Sequence, residues 1–178
     1  MDDGSELFDV VDQNDLVIGT ATRQEVHKNS WLHRSIHIFV FNNQKDIFLQ
    51  KRVLTKDENP GYWDSSVSGH VNSGEDYLTS AHRELKEELG ISGSLKPFIK
   101  FPACRETFWE HMQSYLCITD QTIQINPHEI IEGRYWKLDE LKTKIQENPG
   151  IFTSSFHCIF QCYVRTIGSI LLEPPKSL

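Results

Sequence analysis

The segment from Gly69 to Ile91, GHVNSGEDYLTSAHRELKEELGI, constrains this chain more than any other. From about Asp76 to Leu89, the apolar residues Leu78, Ala81, Leu85 and Leu89 recur at spacings of three and four. That period predicts an amphipathic helix. Gly90 supplies its stop, because the residue after a helix commonly enters the left-handed region that glycine tolerates. At about 100° per residue, Glu84, Glu87 and Glu88 form an arc beside the apolar stripe. Like charges one turn apart destabilise a bare helix. The same arc becomes favourable around a hard divalent cation, since Mg²⁺ takes carboxylate oxygens and keeps water and phosphate oxygens as its other ligands. The bland alternative is a solvated acidic face. Arg83 and Glu75 can pair across the helix start. Gly69 lets a loop backbone approach closely, so that a carbonyl there could reach a metal.

The spacing weighs against the bland alternative. Gly69, Glu75, Arg83, Glu84, Glu87, Glu88 and Gly90, with apolar Leu85 and Ile91, stand at set intervals. By average residue usage such a pattern recurs by chance in on the order of one in a million chains of this length.

The rest of the chain frames this helix. Its 178 residues suffice for one domain with a sizeable core and no metal or disulfide staple. ELFDVVD and LVIGTAT read as a hairpin around Gln13–Asp15, and RQEVHKNSWLHR as room for one helical turn. SIHIFVFN and DIFLQKR read as a second hairpin, TKDENPG as a loop and YWDSSVSGHV as one strand. Strands are expected near Leu95–Cys104, near Met112–Ile118 and at GRYWKL, then a short helix at LDELKTKIQEN. Phe152, Phe156, Ile159, Phe160, Tyr163, Ile167 and Leu171 predict an amphipathic helix over about 151–172, stopped by Pro174–Pro175. The formal net charge of −7 argues against nucleic acid or an anionic membrane as partner. No apolar run could span a bilayer and no leader pattern opens the chain, so a cytoplasmic setting is expected. Cys104, Cys117, Cys158 and Cys162 form no CxxC or zinc-ligand spacing and read as free thiols.

With those residues in place, the chain resembles the Nudix hydrolase superfamily, whose box it matches at every specified position from Gly69 to Ile91. The resemblance implies an α/β fold, an α/β/α sandwich around a mixed sheet, here with an N-terminal hairpin and a C-terminal helix. One Nudix-like domain would take in residues 1–178, with the box at 69–91. It implies Mg²⁺ or Mn²⁺ as cofactor, a small-molecule diphosphate as partner and water attack on phosphorus. Glu84, Glu87, Glu88 and the Ser68 carbonyl would be the metal ligands, and Arg83 would orient a glutamate. A glutamate outside the box often serves as ligand or base. Glu129 stands where one is expected, with Glu132 and Glu110 behind it, so that Glu84 or Glu129 is the base. Family members are often dimers, which allows a homodimer here.

LHRSIHIFVFN, FLQKRVLTKDENPGYWDSSVSGH and the box together resemble the branch that includes type I isopentenyl diphosphate isomerase, over roughly residues 6 to 140. That likeness implies diphosphate contacts from Arg52 and Lys56 and further substrate-site roles for His33 and His70. With His27 nearby, it also implies a second metal site. Solvated-loop and surface roles are the alternatives. Two departures oppose isomerase chemistry. Ser68 stands where the branch has a cysteine, and a hydroxyl is a far weaker acid than a thiol. On FWEHMQSYLC, His111 and Gln113 align where glutamates would be, with Glu110 as a substitute. Trp63, Phe108 and Trp109 are candidates for stacking a base, or for core. The leading expectation is therefore a Mg²⁺/Mn²⁺-dependent diphosphohydrolase acting on a nucleoside di- or triphosphate or another small organic diphosphate. An isomerase of isoprenoid diphosphates and a non-catalytic sensor are the alternatives.

Overall fold

A computed structural model describes the backbone of residues 4–172 and the side chains through residue 166. The side chains of Ile167 and Leu171, and the Pro174–Pro175 stop, lie outside the described residues.

The chain opens with an antiparallel hairpin, β1 (Leu7–Val11) and β2 (Val17–Thr22), as its sequence predicts. Helix α1 (Arg23–Asn29) is longer than the single turn expected. A capping box extends it: the Thr22 hydroxyl accepts from the Glu25 amide, and Glu25 returns the contact at the Thr22 backbone. Then come β3 (His33–Phe41), β4 (Ile47–Arg52), β5 (Trp63–Asp64), β6 (Val67–His70), α2 (Tyr77–Leu89), β7 (Lys96–Phe101), β8 (Glu110–Ile118) and β9 (Ile130–Trp136). Helices α3 (Leu138–Glu147) and α4 (Ser154–Leu172) close the chain.

β3 is the hub of a seven-stranded sheet ordered β5-β4-β3-β8-β7, with β6 also beside β3 and β9 beside β4. β3 and β8 run parallel and the other pairs are antiparallel, so the sheet is mixed, as expected. Side chains alternate across β3. Ile36, Ile38 and Val40 pack with Ala81, Leu85 and Leu89 of α2, while Phe39 and Phe41 pack with Phe156, Ile159 and Phe160 of α4. These two apolar layers make the α/β/α sandwich. Losing a side chain such as Leu85 from one of them should cost about 2–5 kcal/mol.

Two local expectations need correction. Leu78 is 45% exposed rather than part of the apolar face. Tyr77 holds the first turn instead, its ring against the core and its hydroxyl donating to Asp15 Oδ2 at 2.9 Å. The single strand expected at YWDSSVSGHV is two strands. β4 meets β3 only at Phe48 and Ile47 and then diverges toward β5 and β9. The Ser66 hydroxyl bridges the gap, accepting from Val40 N at 2.7 Å and donating to Phe48 O at 2.5 Å. β6 then takes up the remaining edge of β3. This fork positions the site described next.

Helix α2 ends as its sequence predicts. Asp76 caps the start by accepting from Thr79 N, and Gly90 adopts φ +69° at the end. All four cysteines are free. No described helix is long and apolar enough to cross a membrane.

Candidate active-site cleft

A polar cleft of about 390 Å³ opens beside the fork, lined from β4, β6 and α2 and from the loops that precede β8, β9 and α4. It brings together Arg52, Lys56, Ser68, His70, Arg83, Glu84, Glu87, Glu88 and Glu129, all expected from sequence.

One end is built from carboxylates on α2. Arg83 is their organiser. Its Nη1 donates to Glu84 Oε1 at 2.7 Å and to Glu87 Oε2 at 3.2 Å, and its Nη2 to Glu75 Oε2 at 3.0 Å and to the His70 carbonyl at 3.1 Å. One guanidinium thus ties the helix to the loop before it. Gly69 is required by space: a Cβ there would lie 2.3 Å from Glu84 Cδ. Glu88 is 4% exposed and accepts from Gln50 Nε2 of β4 at 2.6 Å. Across the mouth, Lys56 pairs with Glu129. Arg52 donates to the Glu58 carbonyl at 3.1 Å and to Ser68 Oγ at 3.2 Å, and lies 3.5 Å from Asp64 Oδ2.

Burial raises the Glu84 carboxyl to about 7 against the pull of Arg83, and the charges of Glu87 and Glu129 add to the rise. Burial, then the Glu84 charge, holds Glu88 well above the ordinary carboxylate range. Hard oxygen donors packed this closely fit a divalent cation, whose attraction would reverse the repulsion that raises both groups.

The other end is bounded by His70 and Glu110, which belong to a cluster of imidazoles behind it. His27 of α1, His33 of β3, His70 of β6 and Glu110 of β8 place one ligand atom each within 4.8 Å of one another. Sheet register does this: His33 stands beside Glu110 on the parallel pair β3–β8, and His70 opposite Ser35 on β3–β6. His27 Nε2 is 3.3 Å from His70 Nε2, which is 3.2 Å from Glu110 Oε1, and His33 Nε2 is 3.5 Å from the same oxygen. His33 Nδ1 donates to the Trp31 carbonyl, which turns a bare, buried Nε2 toward the cluster. That arrangement is common for a metal-ligating imidazole. Burial lowers His27 to about 4 and His70 to about 3, so both are neutral. Burial alone would raise Glu110, but its contacts with His33 and His70 hold it well below its usual range. Neutral imidazoles around one carboxylate suit a borderline metal better than Mg²⁺.

Some expected residues stand elsewhere. His33, expected at the substrate, is buried in the histidine cluster and does not line the cleft. Glu132 pairs with Lys51 away from it. Glu110, named only as a substitute, is the β8 residue at the site. His111 points the other way, its Nε2 on the Asp12 carbonyl, because neighbours on a strand face opposite sides. Gln113 contacts the Ile99 and Ser114 carbonyls. Trp63 is core, Trp109 lies outside the cleft, and Phe108 lines it. Sequence reasoning missed Gln50, Ser35, His37, Asp64, Thr153 and Ser155. The alternation of Ser35 and His37 with Ile36 and Ile38 was the available signal for two of them. Nothing in sequence brings the start of α4 to the cleft.

The NUDIX domain family model matches residues 31–156. An isopentenyl-diphosphate Delta-isomerase of Pectobacterium atrosepticum is 33% identical over 156 residues, covering 85% of this chain and 87% of that protein. An uncharacterized Nudix hydrolase of Yersinia pestis is 34% identical over 149 residues, covering 80% and 79%. Among solved structures, DR0079 from Deinococcus radiodurans superposes with a TM-score of 0.77 at 27% identity, covering 89% of this chain and 99% of that one.

Proposed function

This chain belongs to the NUDIX domain family, and from that premise we propose that it is a Mg²⁺- or Mn²⁺-dependent hydrolase. Its substrate is a nucleoside di- or triphosphate or another small organic diphosphate, cleaved at the diphosphate linkage. The observation that carries the reading is the gathering of Glu84, Glu87, Glu88 and Glu129 at one end of a cleft that Arg52 and Lys56 also line.

Glu84, Glu87 and Glu88, with the Ser68 carbonyl, would hold the cation. When bound, such an ion screens diphosphate charge and acidifies a water ligand. Arg83 keeps Glu84 and Glu87 in place. Arg52 and Lys56 take the diphosphate oxygens. Of the two candidate bases, Glu129 is favoured. Glu84 is committed to Arg83 and packed on Gly69. Glu129 comes from a loop and is held by Lys56 until phosphate oxygens compete for that ammonium. Proton transfer to such a group contributes about 10²–10⁴-fold to rate.

Isomerisation of isopentenyl diphosphate is the second reading, favoured by the histidine cluster and by the names of several relatives. Against it, the proton donor would be Ser68, whose hydroxyl is a weak acid held between Arg52 and Asp64. Glu110 is already engaged by two imidazoles. A sensor without catalysis is the third reading, and it makes no use of the full set of carboxylates.

Product analysis by ³¹P NMR, with Mg²⁺ and then Mn²⁺, separates the three. The panel holds nucleoside di- and triphosphates, sugar nucleotides, dinucleoside polyphosphates and isopentenyl diphosphate, with Glu87→Gln as control. Cleavage lost in the control supports the hydrolase. Conversion of isopentenyl diphosphate without phosphate release supports the isomerase. Binding without turnover, unchanged in the control, supports the sensor.

A further inference from the structure

The three imidazoles of the cluster differ in what their outer nitrogen faces. His33 Nδ1 faces the Trp31 carbonyl at 3.0 Å, and His27 Nδ1 faces Glu58 Oε1 at 4.0 Å. Both neighbours are acceptors. An acceptor on that side keeps the proton on Nδ1 and leaves Nε2 bare, the form in which an imidazole ligates a metal. His70 is the exception. Its Nδ1 lies 2.9 Å from Arg23 Nη1, and a guanidinium only donates.

That one contact sets the proton pattern. With Nδ1 accepting, His70 carries its proton on Nε2. The Nε2–H then points into the cluster, 3.2 Å from Glu110 Oε1 and 3.3 Å from His27 Nε2. Both of those atoms are acceptors in this pattern. Ligation of a metal through His70 Nε2 would move the proton to Nδ1 and set it against the guanidinium, donor to donor. Turning the ring gives no escape. It is stacked on Phe8 with centroids 4.7 Å apart, and a half-turn in that plane would place a C–H group against Arg23. Arg23 itself is built in. It is the first residue of α1, its backbone N–H donates to the Glu6 carbonyl at 2.7 Å, and it is 6% exposed at the cleft wall.

We propose that Arg23 is a positioning residue that holds His70 as a hydrogen-bond donor and keeps it out of the ligand set of a metal at this cluster. His27, His33 and Glu110 are then the ligands, and the His70 N–H braces Glu110. Three protein ligands leave a coordination position open, as in catalytic rather than closed structural sites. The inference holds whichever diphosphate reaction the cleft carries out.

The test is long-range ¹H–¹⁵N NMR of the full chain with ¹⁵N-labelled histidine, in chelator and then with one equivalent of Zn²⁺. It separates bare, protonated and metal-bound ring nitrogens, and His70→Gln assigns the His70 signals. In wild type, Zn²⁺ should move Nε2 of His27 and of His33 and leave His70 protonated on Nε2. In Arg23→Met, His70 should join them, with its proton on Nδ1, and Zn²⁺ affinity by calorimetry should rise about 10–100-fold. His70 metal-bound in wild type would overturn the proposal. So would a His70 proton on Nδ1 in chelator, or no Zn²⁺ signal at His27 and His33. Tighter binding in Arg23→Met with His70 still off the metal would reduce Arg23 to a charge effect and reject the positioning role. Should Arg23→Met fail to fold, the wild-type spectra decide with calorimetry of two other variants. His70→Gln should leave Zn²⁺ affinity nearly unchanged and His33→Gln should lose it; equal losses would overturn the proposal.

Discussion

The two ends of the cleft solve the burial of ionisable groups in opposite ways. At the α2 end, burial opposes the ionisation of Glu84 and Glu88, with Arg83 as the counterweight at Glu84 and Lys56 and Arg52 at Glu88. At the β3–β8 end, burial strips the proton from His27 and His70, and the imidazoles stabilise one ionised carboxylate, Glu110. The first end has more negative charge than its protein partners neutralise. The second is close to balanced without any ion, because the Arg23 guanidinium, 2.9 Å from His70 Nδ1, stands against the Glu110 charge. A dependence on added Mg²⁺ or Mn²⁺ therefore belongs to the first end, and a tightly held softer metal to the second.

The largest effect that would sharpen this contrast is on turnover. Glu129→Gln should lower metal-dependent hydrolysis by about 10²–10⁴-fold, whereas His27→Gln should lower it far less. Comparable losses in steady-state assays would merge the two ends into one functional unit. Next in size is Gly69→Ala. Its methyl group would displace the Glu84 carboxylate, the free end of a flexible side chain, rather than backbone. Activity should fall about 10–100-fold with little change in melting temperature, and a large thermal loss would show that Gly69 serves folding instead.

Third is the pH dependence of stability in chelator. Glu84 titrates near 7 when folded against an ordinary value of 4.5, so the folded state binds more protons between those values. Stability from this end must fall as pH rises through that window. His27 and His70 titrate near 4 and 3 against 6.5, so the unfolded chain binds more protons below 6.5. Stability from that end must fall as pH drops from 6.5. Mg²⁺ should flatten the alkaline limb and leave the acid limb, as followed by denaturant melts. Flattening of the acid limb alone would break the contrast. The smallest effect is on metal content: His33→Ala should reduce Zn²⁺ or Mn²⁺ retained after dialysis, by elemental analysis, without changing the Mg²⁺ concentration needed for hydrolysis.

How much of each end was legible in sequence follows from how each is assembled. The α2 end was nearly complete, because Gly69, Glu75, Arg83, Glu84, Glu87 and Glu88 lie within one loop and one helix. There, sequence spacing is spatial spacing at 3.6 residues per turn. Gln50 escaped notice because its partner Glu88 is reached only across the fork. The histidine end was legible in part: the sequence points to His27, His33 and His70, but offers their carboxylate, Glu110, only as a substitute for His111 and Gln113. Glu110 and His111 are adjacent in sequence and face opposite sides of β8, so one residue of register decides which reaches the cluster. The polar lining formed by Ser35, His37, Asp64, Thr153 and Ser155 is not legible at all. It joins β3, β5 and the start of α4, brought together from as far as Asp64 and Thr153, which share a hydrogen bond.

By itself, then, the sequence determined the box helix, its glycine stop and its carboxylate arc, along with the two hairpins and the apolar periods that dictate a layered α/β domain. These depend on local geometry, where the chain's own pitch sets distance. Only the tertiary structure decided that β4 diverges from β3 at Ser66, that Glu110 rather than His111 meets the histidines, and that Ser35 lies unpaired beneath a cleft. Those outcomes depend on strand register and on which layers meet, contacts between residues far apart in sequence that no local period encodes.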